Sequence, residues 1–485
     1  MSAKPLVVSS PPAVLHTTGA AASNSSLAIT LCVLAADLIT LALVFGLAVE
    51  WRHHLSPLYP LSSFLQFIPL MVMVISAFCL QGLYPGVLLH PAEEMRRIWM
   101  SVTVVFLLLA CAAFLWRNGS DYSRSVFLVT WAAGAPMVLL VRYFLRRRFR
   151  VFAWWGVTAV ILGSGSAAQR VARTLRDGRW GVKVTGMLSD DPLGAWPADL
   201  PPVLGPISAA PSFSKGGLSH YAIIAMPNRS SQEIRHLIQD WCHGFRHVLL
   251  VPDMPGICSL GITTREVGGE VGFEMPQRLF QRVPSLTKRA MDLILSALGL
   301  LVLTPLFLLV AAAVRLTSKG PICYGQVRYG KGGTMFKAWK FSSMIQDADN
   351  LLADHLAAHP EDLFEWQRDH KLKNDPRVTP IGRWLRRLSL DELPQLFNVL
   401  MGQMRLVGPR PIVKEEIQKY GRRYGLYSRV RPGITGLWQV SGRNNTTYDE
   451  RIALDEYYVH NWSVWFDTYI LLRTVKTVFW GEGAY

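Results

Sequence analysis

The chain has 485 residues, half of them hydrophobic and only 17% charged, which is too long for one ordinary core and poor in charge for a soluble assembly. Its formal charge of +16 calls for anionic partners: nucleic acid, phospholipid head groups or phosphorylated substrates. The six cysteines show no paired spacing, which argues against a disulfide framework or a zinc site.

Residues 1–26 contain one lysine and no apolar core, so they read as a cytoplasmic tail and not as a cleavable signal peptide. Four apolar runs follow, at 27–49, 62–84, 98–116 and 125–142, each close to the ~20 residues that cross a bilayer. The fourth runs into RYFLRRRFR (142–150), whose arginines mark the cytoplasmic end. Residues 27–150 are therefore expected to form a four-helix membrane bundle.

VTAVILGSGSAAQRVARTL (157–175) passes from a β-rich run through Gly163, Gly165 and Ala168 into a helical pattern, the outline of a dinucleotide fingerprint. Asp190 and Asp191 fall where a ribose-binding acid belongs. YAIIAM and HVLLV add buried parallel strands, so 151–275 is read as a Rossmann-like α/β domain. A competing function rests on this motif: a membrane-bound NAD(P)-dependent oxidoreductase or sugar-nucleotide epimerase. Near it only Tyr221 and scattered lysines could serve as acid/base.

A fifth apolar segment, 293–314, has Lys288 and Arg289 before it, Arg315 and Lys319 after it, and Thr304-Pro305 at its middle. Basic residues on both flanks and a helix-bending proline fit a re-entrant hairpin over 285–320; a kinked spanning helix is the alternative.

The last stretch, 321–485, is expected to be a mainly α domain and to carry the chemistry. QVRYGKGGTMFKAWKFSSM (326–344) reads as a glycine-turned hairpin with Lys337 and Lys340 three apart. Arg377, Arg383, Arg386 and Arg387 then precede SLDELPQLFNVLMGQMRLVGPRP (389–411). Leu393, Leu396, Phe397, Leu400 and Met404 have helical spacing, and Pro394 suits a first turn, which puts the helix start near Leu390–Asp391. Asp391 and Glu392 then stand at its positive end. Ser389 and Glu392 match a capping box. The same acids also suit a carboxylate nucleophile for phosphorus beside a Mg²⁺ ligand, with arginines clamping phosphoryl oxygens. Spacing alone does not choose; a non-enzymatic membrane scaffold with a capped helix stays open.

KFSSM, LKNDPRVTPIGRWLRRLSLDELPQLFNVLMGQMRLVGPRP and RPGITGLWQVSGRN (431–444) resemble the bacterial sugar transferase superfamily, the polyprenol-phosphate hexose-1-phosphate transferases. The whole chain is similar in layout to the large undecaprenyl-phosphate galactose phosphotransferase type. The resemblance implies that Asp391 attacks the sugar-bearing phosphorus of a UDP-hexose and releases UMP. Undecaprenyl phosphate then collects the sugar phosphate, starting surface polysaccharide synthesis. It implies Mg²⁺ on Glu392, lipid phosphate at Arg386, the UDP part near Lys340, Pro409 and Arg410, and Pro305 as the helix breaker. Galactose is expected first, from SGRNN, and glucose next. A homodimer in the bacterial inner membrane is implied, with the catalytic domain cytoplasmic. No nucleic-acid partner is expected, because the positive charge clusters beside membrane segments and no recognition module appears. The family's K-F-R-S-M reads KFSSM here, with Ser342 replacing an arginine that Lys337 could substitute. NWSVWFDTYILLRTVKTVFW (461–480) fits an interfacial aromatic segment on membrane lipids.

Overall fold

The computed structural model describes residues 19–56, 67–115, 123–152, 154–191, 196–215, 219–252, 262–267, 270–275, 277–317, 320–345, 348–359, 375–442 and 446–480. The chain divides into two compact units, Met1–Pro255 and Gly256–Tyr485.

The first unit begins with four helices: α1 (Gly19–Leu55), α2 (Phe67–Leu80), α3 (Pro91–Leu115) and α4 (Arg124–Phe149). Of these, α1, α3 and α4 are long and apolar enough to cross a membrane; α2 is a shorter apolar helix of 14 residues. Leu41, Val74, Phe78, Ile98, Val102 and Val138 knit the bundle together. Leu27, Leu31, Leu43 and Leu47 face outward, as lipid-contacting side chains would. Inside it, Arg142 bonds both Asp37 and Glu94, and Arg146 bonds Glu94. Two arginines of the basic run are therefore tied within the bundle in a charge-balanced set, the way ionised groups persist among apolar helices. Arg147, Arg148 and Arg150 remain for the interface.

A parallel five-stranded sheet follows, in the order β3-β2-β1-β4-β5. Its elements are β1 (Val157–Leu162), α5 (Ser166–Leu175), β2 (Val182–Leu188), β3 (Val203–Gly205), α6 (Ala210–Lys215), β4 (Tyr221–Ile224), α7 (Ser231–Trp241) and β5 (His247–Leu250). The central strands β1 and β4 are buried on both faces, as their apolar runs require. β5, expected to be buried too, is exposed at every position, because it is the sheet edge.

The second unit opens with a two-stranded hairpin, β6 (Thr263–Val267) and β7 (Glu270–Glu274), which among the described residues pairs with no other strand. Next is α8 (Arg282–Thr317), one 36-residue helix with Pro305 inside it. Thr304 Oγ1 donates to Leu300 O at 2.6 Å beside the proline. Then come β8 (Cys323–Tyr329), β9 (Met335–Phe341), α9 (Ala348–Ala358), α10 (Pro380–Arg387), α11 (Gln395–Leu400), β10 (Arg405–Val407), α12 (Lys414–Tyr420), α13 (Tyr424–Tyr427), β11 (Gly433–Thr435), α14 (Tyr448–Asn461) and α15 (Val464–Trp480). β8 and β9 form the expected hairpin. β10 and β11 are short parallel partners. Gly433 is required there: a Cβ would lie 2.1 Å from Gly408 N, so only glycine lets the VGPRP and RPGITG backbones meet.

The two basic residues ahead of α8 serve differently from a simple interfacial flank. Lys288 is buried and donates to Asp467 of α15 at 2.6 Å, while Arg289 donates to Val399 O and Leu400 O at the end of α11. Asp292 accepts from Leu406 N and pairs with Arg405. Past the proline, Val310 and Val314 pack with Phe341 and Leu385. Both arms of α8 thus rest on the same group of strands and helices. Between them Leu298, Leu301, Val302, Leu308 and Leu309 are exposed.

Candidate active site

Ser389 has left-handed backbone torsions (φ 53°), uncommon for a residue with a Cβ. Its side chain caps nothing, so the capping-box expectation fails. Leu390–Glu392 is a single 3₁₀ turn, Pro394 is the N-cap and α11 starts at Gln395, later than the spacing predicted. The inward face also differs. Leu396 and Val399 are buried together with Gln395 and Asn398, whereas Phe397 is exposed and Met404 lies beyond the helix end. Asn398 explains the offset. Its Oδ1 accepts from Trp339 N and its Nδ2 donates to Lys337 O, which fixes α11 against the backbone of β9.

That register brings Lys340 over the acid turn. Its Nζ lies 2.7 Å from Glu392 Oε1 and 3.7 Å from Asp391 Oδ2. The surroundings separate the two carboxyls. Burial pushes Asp391 up; Lys340 offsets part of this and Glu392 adds to it. Glu392 is subject to the same burial, yet Lys340, Arg410 and Arg328 together bring it below the usual carboxylate range. Two adjacent acids pushed apart in this way suit two different tasks.

Glu392 faces a cleft of about 280 Å³, counting space open to solvent, lined by Arg328, Lys340, Gln395, Arg410 and Gln439 among others. Arg328 is a site residue that the sequence did not disclose. It lies 63 positions before Asp391 in a strand without a basic cluster, and pairing across β8 and β9 carries it there. Arg386 lies near Asp391, and its Nε donates to Ser343 Oγ at 2.9 Å. Pro409 does not line the cleft. It is buried, accepts from Gly433 N through its carbonyl and borders a separate small cavity. Lys337 alternates to the opposite face of β9 from Lys340, so it does not replace the missing arginine at 342; Ser342 Oγ instead donates to Pro321 O. Arg443, Asn444 and Asn445, from which galactose was expected, lie outside the described residues.

The sheet of the first unit offers a second glycine turn. Gly163 has φ 115°, and a Cβ there would meet Ala225 O at 2.8 Å. Gly165 is the N-cap of α5. Asp190, expected to meet a ribose, accepts from Ile207 N through Oδ1, and Asp191 lies 3.8 Å from Arg229.

A cleft with two differentiated carboxyls under a lysine and flanked by arginines suits the handling of phosphoryl groups. The comparisons agree. The sequence model of the bacterial sugar transferase family matches residues 283–481, and that of a CoA-binding domain matches 80–252. The undecaprenyl-phosphate galactose phosphotransferase of Salmonella typhimurium is 34% identical over 401 residues, 81% of this chain and 82% of that protein. The UDP-glucose:undecaprenyl-phosphate glucose-1-phosphate transferase of Escherichia coli is 33% identical over 386 residues, 76% of this chain and 78% of that protein. The exopolysaccharide production protein ExoY of Sinorhizobium fredii is 43% identical over 215 residues, 44% of this chain but 95% of that protein. The chain belongs to the bacterial sugar transferase family and is a transferase, which sets aside the oxidoreductase, epimerase and scaffold readings.

Proposed function

We propose that the protein transfers hexose-1-phosphate from a UDP-hexose to undecaprenyl phosphate and so starts a bacterial surface polysaccharide. Galactose is the first candidate and glucose the second. The observation that carries this reading is Lys340 bridging Asp391 and Glu392, with Arg328 and Arg410 on the Glu392 side and Arg386 near Asp391. Asp391 attacks the sugar-bearing phosphorus. The bond from that phosphorus to the bridging oxygen breaks, UMP leaves with the electron pair, and the sugar phosphate remains on the carboxylate as an acyl phosphate. A phosphate oxygen of undecaprenyl phosphate then attacks the same phosphorus, and Asp391 departs as a free carboxylate. Lys340 and Arg410 hold the diphosphate, and Arg386 holds the lipid phosphate.

The donor set fits Mg²⁺, which is commonly held by one or two carboxylates and substrate phosphates. Glu392, kept anionic by its cationic neighbours, would bind it with Asp391 alongside. When bound, the ion neutralises diphosphate charge that would repel an anionic nucleophile.

The proposal places the enzyme in the inner membrane as a homodimer, with its catalytic unit on the cytosolic side where UDP-sugars are. The packing of both arms of α8 on one unit, with exposed leucines between, supports a re-entrant helix hinged at Pro305. On this reading Trp384, Phe397, Met401, Leu472 and Val475, all exposed, reach the lipid interface.

The test is UMP release from UDP-galactose and UDP-glucose, with Mg²⁺ and undecaprenyl phosphate, by membrane-embedded protein. Wild type should release UMP and Asp391→Asn should not. A variant as active as wild type would return Asp391 to a structural role.

A further inference from the structure

Behind the Arg410 loop lies a buried polar cluster that the proposed reaction does not use. Asp455 of α14 is 2% exposed and accepts from Tyr420 Oη at 2.8 Å. Its other carboxyl oxygen has no hydrogen bond among the described residues. Tyr420 packs on Tyr427 with ring centroids 5.0 Å apart. Tyr427 Oη in turn donates to Arg410 O at 3.0 Å and accepts from Ile412 N at 3.3 Å, bracing both ends of the Arg410-Pro411 step. A second route reaches the same arginine. One turn before Asp455, Arg451 lies 4.8 Å from the Trp438 ring centroid, and the Arg410 guanidinium lies 5.5 Å from that same centroid. Arg451 is anchored by Glu416 at 3.2 Å.

A half-satisfied buried carboxyl opposes folding, and such groups collect where function requires them. We propose that Asp455 and Arg451 are positioning residues that set Arg410 for the diphosphate, Asp455 through Tyr420 and Tyr427 along the backbone, Arg451 through Trp438 at the side chain. This rests on the reading of Arg410 as a diphosphate-binding residue. The charged and titratable groups facing Asp455 are Tyr420 and Glu416 from α12, Tyr427 from α13, Arg451 and Tyr448 from its own helix and Arg410 from the loop. Arg423 and Glu456, at the rim, pair with each other. Burial, outweighing Tyr420, Arg451 and Arg410, pushes the Asp455 carboxyl up to about 7. The brace is therefore charged above neutrality and loses its charge below it.

The experiment measures UDP binding to the full chain in lipid nanodiscs from pH 6 to 8.5, for wild type, R410A, D455N, Y420F and R410A/D455N. Y420F removes one hydroxyl and keeps the packing, so it stands in if D455N fails to fold. R410A should weaken UDP, and D455N and Y420F should each weaken it roughly tenfold at pH 8, the loss expected from one misplaced charge-assisted contact. The double variant should bind no worse than R410A alone. The wild-type affinity should fall below pH 7 relative to D455N. If R410A weakens UDP while D455N and Y420F bind like wild type, or if R410A and D455N add fully, the positioning role is overturned. If R410A binds UDP like wild type, the reading of Arg410 itself fails.

Discussion

Two turns in this protein invite an anion, and they differ in what surrounds them. In the first unit, Gly163 and Gly165 open α5 in the shape of a nucleotide fingerprint, but Asp190 is engaged with Ile207 N and Asp191 sits near Arg229. In the second unit, the 3₁₀ turn at Asp391 and Glu392 has no glycine signature. It has instead Lys340 within 3.7 Å of both acids and three arginines around it. Backbone shape makes a site possible; converging charge gives it chemistry. A motif whose acid is already hydrogen-bonded is weaker support for function than an acid pair whose carboxyls are driven in opposite directions.

The strongest way to break the contrast is a matched pair of substitutions. Asp391→Asn should lower turnover by at least ~10³-fold, as loss of a covalent nucleophile does. Asp190→Asn should leave UMP release unchanged in the same assay. Equal effects would erase the distinction between the two turns.

Lys340→Met is next. Removing the cation should cost roughly 10²-fold in kcat/KM, the scale of losing a preorganised electrostatic contact. It should also move the acid limb of the pH–rate profile. Lys340 lowers both carboxyls, so without it Asp391 rises further and activity falls away at a higher pH than in wild type.

Asn398→Ala tests the register that places Lys340. It leaves Trp339 N–H and Lys337 C=O without their partner, at about 1–3 kcal/mol for each buried group, read as a lowered melting temperature of the second unit.

Asp455→Asn sharpens the stability side. The folded carboxyl titrates at about 7, above its ordinary 3.8, so the folded chain keeps a proton that the unfolded chain has lost between those values. Stability should therefore fall as pH rises through that window in wild type, and this slope should disappear in D455N. An unchanged slope would place the titration elsewhere.

The smallest effect separates the two accounts of Ser389. A capping box predicts that Ser389→Gly is destabilising, by roughly a few tenths of a kcal/mol. The left-handed torsion predicts that Ser389→Gly is neutral or slightly stabilising, since glycine takes that conformation without strain.

What could be read from the sequence follows chain locality. Asp391, Glu392 and Arg410 lie in one stretch of 20 residues, so their association was visible before any fold was known. Arg328 and Asn398 enter the site through strand pairing and a helix-to-strand hydrogen bond, which no local pattern reports. Lys288 and Arg289 looked like a membrane flank because both are basic, yet they are internal ties to α15 and α11. The spacing puts the helix start near Leu390–Asp391, ahead of the observed Gln395, because a serine in a left-handed turn has no distinctive sequence signal. Pro409 enters through the family resemblance of the VGPRP loop, and its carbonyl is taken up by Gly433 N. Parallel strands were legible as apolar runs, but the exposure of β5 depends on strand order, which its sequence does not encode.

The central claim is that Asp391 carries the sugar phosphate. Its most direct test is to incubate the protein with Mg²⁺ and UDP-galactose or UDP-glucose labelled in the sugar, with no lipid acceptor, and map the label by peptide mass. The account predicts one sugar phosphate per active chain on the peptide containing Asp391, released when undecaprenyl phosphate is added. Rapid turnover with acceptor, but no label on the protein without it, would contradict a covalent intermediate and make Asp391 a base or an ion ligand.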